Sequence, residues 1–252
     1  MSVSPTFRLD GKRALVTGAG RGIGRAIAEA FAECGAEVVL CARTQSEIEE
    51  AADTLRARGL AATAQACDVM DVAGFSDLIE NQAPFDILVN NAGTNRPKPQ
   101  SEVTEEDYDA VMNLNVRAVY FATKAVAKSM IAAGRGGSIM TLSSQMGHVG
   151  AANRTIYCAS KWAIEGFTKA LACELGSHKI RVNTICPTFI ETPMTKPFFE
   201  DETFRNSVLS KIKLGRIGQV SDVTGAAVFL ASDASSLMTG SAVMLDGGWT
   251  AE

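Results

Sequence analysis

The sequence predicts an α/β fold: one doubly wound domain with a seven-stranded parallel sheet and helices on both faces. Three observations carry that expectation. Short apolar runs alternate with amphipathic helical stretches along all 252 residues, as parallel strands joined by crossover helices require. A glycine-rich turn, Thr17-Gly18-Ala19-Gly20-Arg21-Gly22-Ile23-Gly24, joins the first apolar run to the first helical stretch. No Pro/Gly/Ser-rich linker, internal repeat or low-complexity tract divides the chain, so residues 1–252 read as one domain.

The expected strands are residues 13–17, 37–41, 61–66, 87–90, 138–142, 181–185 and 242–245, each a short apolar run. The expected helices are 23–34, 45–58, 72–81, 105–133, 157–175 and 221–231, where apolar residues recur at helical spacing. Thr104 ahead of Asp107 marks one helix start, and Ser221 with Asp222 marks another. Residues 187–216, rich in Phe, Thr and Pro, read as an elaborated loop, with 188–213 covering a substrate.

Hydrophobic residues make up 46% and charged residues 21%, which points to a packed globular chain. The net charge of −4 and the lack of a basic stripe argue against nucleic acid or an anionic membrane as partner. Residues 1–10 lack the apolar core of a secretory leader, and apolar stretches such as 223–231 are too short to span a bilayer. The expected location is cytoplasmic. Cys34, Cys41, Cys67, Cys158, Cys173 and Cys186 form no C-x-x-C, and no histidine completes a metal spacing. They read as reduced thiols and no metal is expected; Cys158, beside a candidate catalytic tyrosine, is the one with an alternative reading as reactive.

The glycine turn follows a strand and opens a helix, the context in which backbone N–H groups face a pyrophosphate. An NAD-type site carries an acid about 20 residues on, at the end of the second strand. Here that stretch reads Leu40-Cys41-Ala42-Arg43-Thr44. Ala42 offers no carboxylate to repel a 2′-phosphate, while Arg43 and Arg21 offer cations. NADP(H) is therefore favoured, with NAD(H) the other reading.

Tyr157 and Lys161 lie four residues apart on an expected helix and share a face. An ammonium beside a phenol lowers its pKa and fits it for proton transfer to a carbonyl oxygen. Ser144, at the end of a strand, can hold that oxygen.

With these groups in order, the chain resembles the short-chain dehydrogenase/reductase (SDR) family over nearly its whole length. Thr17–Gly24 looks like the family's T-G-x-x-x-G-x-G turn, and Asp68-Val69 like its adenine-contacting pair. Asn90-Asn91-Ala92-Gly93 matches the N-N-A-G signature, Asn115 the helix asparagine, and Tyr157-Cys158-Ala159-Ser160-Lys161 the Y-x-x-x-K core. Pro187, Ile190 and Thr192 fall in the segment that meets the nicotinamide. The resemblance implies a Rossmann domain and a catalytic set of Asn115, Ser144, Tyr157 and Lys161. Tyr157 would be the acid/base; Lys161 would tune it and bind the nicotinamide ribose. Ser144 would orient the substrate, and Asn115 would help hold a relay water. The cofactor would lie against Thr17, Gly18, Gly20, Arg21, Gly22, Ile23, Gly24, Arg43, Asp68, Val69, Asn91, Ala92, Gly93, Tyr157, Lys161, Pro187, Ile190 and Thr192. One departure stands out: Thr188 follows Pro187 where the family commonly has glycine.

The implied substrate contacts are Asn95, Arg96, Gln145, His148, Arg154 and Thr188, with His148 and Arg154 read either as loop support or as substrate contacts. This polar set suits a hydroxylated or anionic small molecule: a sugar, a polyol or an acid. A 3-oxoacyl-[acyl-carrier-protein] reductase is the alternative, and it would want a basic patch that Arg96, Lys98 and Lys128 do not clearly make. A cofactor-binding regulator without chemistry is expected to lack part of the catalytic set, and a serine hydrolase would need a G-x-S-x-G elbow. Ala159, Ala163, Gly166 and Ala170 recur at helical spacing, and the resemblance implies a homotetramer built on the long helices.

Overall fold

The structure, a computed structural model, describes residues 6–251. Residues 1–5 of the N-terminal stretch and Glu252 lie outside the described residues. The elements run β1 (Arg13–Thr17), α1 (Gly22–Glu33), β2 (Glu37–Ala42), α2 (Gln45–Ala57), β3 (Ala62–Ala66), α3 (Val72–Glu80), β4 (Ile87–Asn90) and α4 (Glu105–Met112). They continue with α5 (Val119–Ala133), β5 (Gly137–Leu142), α6 (Thr155–Leu175), β6 (Ile180–Pro187), α7 (Glu202–Leu209), α8 (Ser221–Ala231) and β7 (Ala242–Leu245). All seven strands form one parallel sheet in the order β3-β2-β1-β4-β5-β6-β7. The order reverses between β1 and β4, which opens a crevice at the C-terminal strand ends.

The period-two pattern of each strand sorts its side chains between two core layers. Ala14 and Val16, Val38 and Leu40, and Ile87 and Val89 face α1, α2 and α8, where Ile27, Phe31, Ile48 and Val223 fill the layer. Leu15, Val39, Leu88, Ile139 and Val182 face the other way, against Phe75, Ile79, Val126 and Met130. Both faces of the sheet are thus covered, as strands that read as near-continuous apolar runs demand.

Two elements differ from expectation. The stretch 105–133 is not one uniform helix: α4 and α5 flank a π-helical turn at Asn113–Ala118. Such turns insert a residue and shift the hydrogen-bond ladder, often beside a functional site. The covering region 188–213 is not only loop. It holds a 3-10 turn at Lys196–Glu200 and then α7, whose start is capped by the Asp201 carboxylate accepting from Thr203 N at 2.9 Å and Phe204 N at 3.2 Å. Phe189 anchors this region from beneath, its ring 5.9 Å from Phe199, 5.6 Å from Phe204 and 6.0 Å from Trp249. The Thr104–Asp107 start is a full capping box, as the spacing predicts.

Candidate active site

β1, β4, β5 and β6 end side by side at the C-terminal edge of the sheet, and each delivers part of the site. After β1 comes the glycine turn. Gly18 and Gly22 have φ of +64° and +59°, which a side chain would strain. A Cβ on Gly24 would overlap the Asn91 amide and the Gly18 carbonyl. Asn91 explains the crowding: its Nδ2 donates to the carbonyls of Thr17 and Gly18, each at 3.0 Å. In return, Thr17 Oγ1 accepts from Asn91 N at 3.1 Å and Ala92 N at 3.3 Å. The turn after β1 and the N-N-A-G segment after β4 are therefore one hydrogen-bonded unit. Asn90 secures it from behind, donating to Thr123 Oγ1 at 2.8 Å.

Helix α1 begins with no side-chain cap on its first N–H groups and no acid in its first turn. Those uncapped donors follow a turn in which Gly18, Gly20, Gly22 and Gly24 carry no side chain, which fits a pyrophosphate. Ile23 packs on the core layer beneath. A Cβ on Gly22 would lie 3.6 Å from Thr192, so the turn meets the segment after β6 across the crevice. Ile190 is buried there, and its carbonyl accepts from Thr195 Oγ1 at 2.5 Å. Arg43 is exposed just beyond Ala42 at the end of β2. Arg21 is also exposed, with Glu47 4.0 Å away. Val69 is buried, and the Asp68 carboxylate accepts from Met70 N at 2.9 Å.

After β5, Ser144 heads a short 3-10 turn, Gln145–Gly147. Its Oγ accepts from Met146 N at 3.1 Å, donates weakly to the Pro187 carbonyl at 3.5 Å, and acts on the nearby Tyr157 phenol to favour its ionised form. Tyr157 and Lys161 share one face of α6, with Nζ 5.5 Å from the phenol ring centroid. Lys161 Nζ donates to the Leu142 carbonyl at 2.6 Å, and burial pulls its pKa down to about 8. Burial pushes the Tyr157 phenol up; the Ser144 hydrogen bond and the Arg154 charge oppose that shift. Two cations thus lie near the phenol: the Lys161 ammonium on the same face of α6, also engaged by the Leu142 carbonyl, and the Arg154 guanidinium.

Asn115 lies in the π-helical turn. It accepts from Thr94 N at 2.8 Å, and its Nδ2 donates to Thr94 O at 2.9 Å and Ser160 Oγ at 3.2 Å. Ser160 donates in turn to the Tyr157 carbonyl at 2.7 Å. This chain of contacts ties the segment after β4 to the helix carrying the phenol. Ser160 is missed by the sequence pattern, although it sits inside Y-x-x-x-K.

The substrate candidates divide. Arg96 is taken up by Asp107 at 3.1 Å and Glu106 at 3.3 Å, and Lys98 by Asp107 at 2.6 Å. Arg96 is therefore a brace between loop and α4 rather than a free contact. His148 points behind the site, with Nε2 3.5 Å from Cys186 Sγ and 3.7 Å from Glu165 Oε2. Cys186 Sγ lies 3.4 Å from Glu165 Oε1, and burial, followed by the Glu165 charge, pushes the thiol pKa up to about 12. This His–Glu–Cys cluster brings potential metal ligands within 4.8 Å of one another, which the chain spacing does not reveal. Gln145 is buried in its turn. Asn95 Oδ1 and Thr188 Oγ1 are buried without a hydrogen-bond partner. Arg154 stands over the Phe189 ring, 5.6 Å from its centroid.

A sheet that cradles a dinucleotide and brings a phenol, an ammonium and a hydroxyl to the same edge belongs to an oxidoreductase acting on CH–OH and carbonyl carbons. Comparison with known proteins narrows this to one family. Residues 18–250 match the family model described as Enoyl-(Acyl carrier protein) reductase. The chain is 41% identical to L-xylulose reductase from Bos taurus, over 97% of this chain and 98% of that protein. It is 40% identical to gluconate 5-dehydrogenase from Gluconobacter oxydans (strain 621H), over 99% of each. Among solved structures, a gluconate 5-dehydrogenase from Burkholderia cenocepacia J2315 in complex with NADP and tartrate superposes with a TM-score of 0.94 at 35% identity, covering 98% of both chains. The chain belongs to the short-chain dehydrogenase/reductase family.

Proposed function

We propose that this protein transfers a hydride between NADP(H) and a secondary alcohol or ketone of a sugar, polyol or sugar acid. The observation that carries the reading is the convergence of Ser144, Tyr157 and Lys161 opposite the glycine cradle, where Gly22 meets Thr192. Bound nicotinamide supplies the hydride in reduction and accepts it in oxidation. In reduction the Tyr157 phenol donates its proton to the substrate oxygen. Ser144 holds that oxygen by its hydroxyl. Lys161, on the same face of α6, binds the nicotinamide ribose and stabilises the phenolate left behind. Asn115, held in place by its bonds to Ser160 and Thr94, helps hold the water that returns the proton.

Several observations support the finer points. Arg43 and Arg21, exposed beside Ala42, suit a 2′-phosphate, and the Burkholderia relative binds NADP. The other two relatives carry names for a sugar and a sugar acid. The acyl-carrier reading loses its basic patch, because Arg96, Lys98 and Lys128 are ion-paired to Asp107, Glu106 and Glu80. The whole chain, 1–252, acts as one binding and catalytic domain, with 188–213 closing over the substrate. No described helix is long and apolar enough to cross a membrane, which accords with a cytoplasmic enzyme. The outward face of α6, with Ala159, Ala163, Gly166 and Ala170 exposed, accords with a homotetramer.

A panel of sugars, polyols and sugar acids, followed by nicotinamide absorbance, tests the reading. NADPH should exceed NADH in kcat/KM, and a tenfold preference for NADH would overturn the cofactor assignment. Tyr157→Phe should remove turnover while NADPH binding, followed by fluorescence, stays near wild type. Retention of a tenth of wild-type kcat would show that another group moves the proton.

A further inference from the structure

The charged side chains around the crevice are almost all accounted for. Arg96 and Lys98 share Asp107, and Lys161 donates to Leu142 O. Arg154 differs. It is half-buried and has no acidic partner and no side-chain hydrogen-bond acceptor among the described residues; its guanidinium lies over the face of Phe189. A cation drawn out of water without a counter-charge is costly, and here burial pulls the guanidinium pKa down.

Three segments meet around it. Arg154 immediately precedes α6, so Tyr157 stands three residues on, about one helical turn away. Asn153, whose φ of +63° is tolerated by Asn, offers its carbonyl to Lys98 N at 3.0 Å and so binds the 94–98 loop beside Arg154. Phe189, beneath the guanidinium, is the neighbour of Thr188. Both adjoining segments carry a buried polar atom without a partner, Asn95 Oδ1 and Thr188 Oγ1. A guanidinium without a counter-charge thus stands about one helical turn from the phenol, between two segments that each carry a buried polar atom without a partner.

We infer that Arg154 binds a carboxylate on the substrate, so that the enzyme's preferred substrate is a polyhydroxy acid. The planar guanidinium matches a carboxylate with two parallel N–H···O bonds, and the Phe189 face holds that plane from below. The carboxylate supplies the counter-charge Arg154 lacks, and the reacting hydroxyl falls toward Tyr157. This assignment rests on the hydride-transfer reading above and names its substrate class.

The test pairs a series of sugar acids with alditols of matching chain length and configuration. Wild type should favour an acid over its alditol in kcat/KM. Arg154→Gln should lower the acid-to-alditol ratio of kcat/KM by roughly thirtyfold or more, mainly through KM, since a charge-assisted bond to a desolvated group is lost. Arg154→Lys should recover part of the ratio. If Arg154→Gln lowers acid and alditol equally, or shifts the pH profile of kcat alike for both, the guanidinium serves the phenol instead and the inference is overturned. An unchanged ratio overturns it as well. Calorimetry of the acid binding to the NADP⁺-loaded enzyme separates the two readings. If wild type binds the acid and Arg154→Gln does not, the carboxylate subsite stands even where no member of the panel is turned over, and only the hydride-transfer reading fails. If wild type turns over alditols but binds no acid, the subsite fails and the hydride-transfer reading stands.

Discussion

Lys161 shows how burial sets the working range of a single group. Its ammonium lies inside the protein with a pKa of about 8, below the ordinary 10.5, chiefly through desolvation. The folded state therefore holds that proton less tightly than the unfolded chain does. The penalty is fully present below pH 8 and fades as pH rises toward 10.5. Lys161→Met should gain stability over wild type at pH 7, by roughly 3 kcal/mol or a little more before the lost bond to Leu142 O is counted. That advantage should shrink toward pH 10, as read from urea melts at the two pH values; a constant difference would show that the group titrates alike folded and unfolded. Much of this site was legible in the chain. Ser144, Tyr157, Lys161 and the glycine turn announce themselves because backbone geometry ties their roles to short, ordered spacings. Arg154, Arg96 and the His148–Glu165–Cys186 cluster do not, because what decides their roles is a partner, or the lack of one, on another element. Arg96 looked free for a substrate until Asp107, eleven residues on, closed on it.

At the scale of elements, the α4 start is the clearest local device. Thr104 Oγ1 accepts from Asp107 N at 3.2 Å, while Asp107 Oδ2 accepts from Thr104 N at 3.2 Å and from Lys98 Nζ at 2.6 Å. Lys98 and Arg96 together hold the Asp107 carboxyl far below the usual carboxylate range. Thr104→Ala should cost about 1 kcal/mol, or a fall of roughly 2–4 °C in Tm for a domain of this size. Calorimetry that found no change would show that the ion pairs alone hold the helix start. The boundaries of the strands and of most helices followed from periodicity to within a few residues. The π-helical turn and α7 did not. Apolar spacing is blind to a single inserted residue, and α7 has only eight residues with its apolar side turned to the aromatic cluster. The signal for α7 was present in Asp201, a capping residue followed by Phe204 and Val208 four apart.

At the scale of the whole molecule, the sheet positions the site, and the outer faces of the long helices look away from it. Tyr120 packs against Phe167 with ring centroids 5.2 Å apart, and Trp162 is 54% exposed beside the small residues of α6. This exposed apolar surface is the one the proposed tetramer would cover. Gly166, where an added Cβ would meet nothing within 4 Å, permits close approach of a second helix. If the proposed tetramer forms through this face, Gly166→Glu should reduce it to smaller species in analytical ultracentrifugation while the far-ultraviolet spectrum stays native. A wild-type chain sedimenting as a monomer would dispose of the tetramer.

The wider turn at Asn113–Ala118 has a bearing on which way its two flanking stretches face. One additional residue offsets the helical phase downstream by about 100°. The stretch before it leans on the crevice through Thr104 and Asp107, and Asn115 within it serves the phenol's helix. The stretch after it seats Val126 and Met130 against the sheet while turning Tyr120 outward. A single unbroken rod would fix these two orientations at another angle; the offset is what lets Asn115 reach the phenol's helix while Tyr120 turns to solvent.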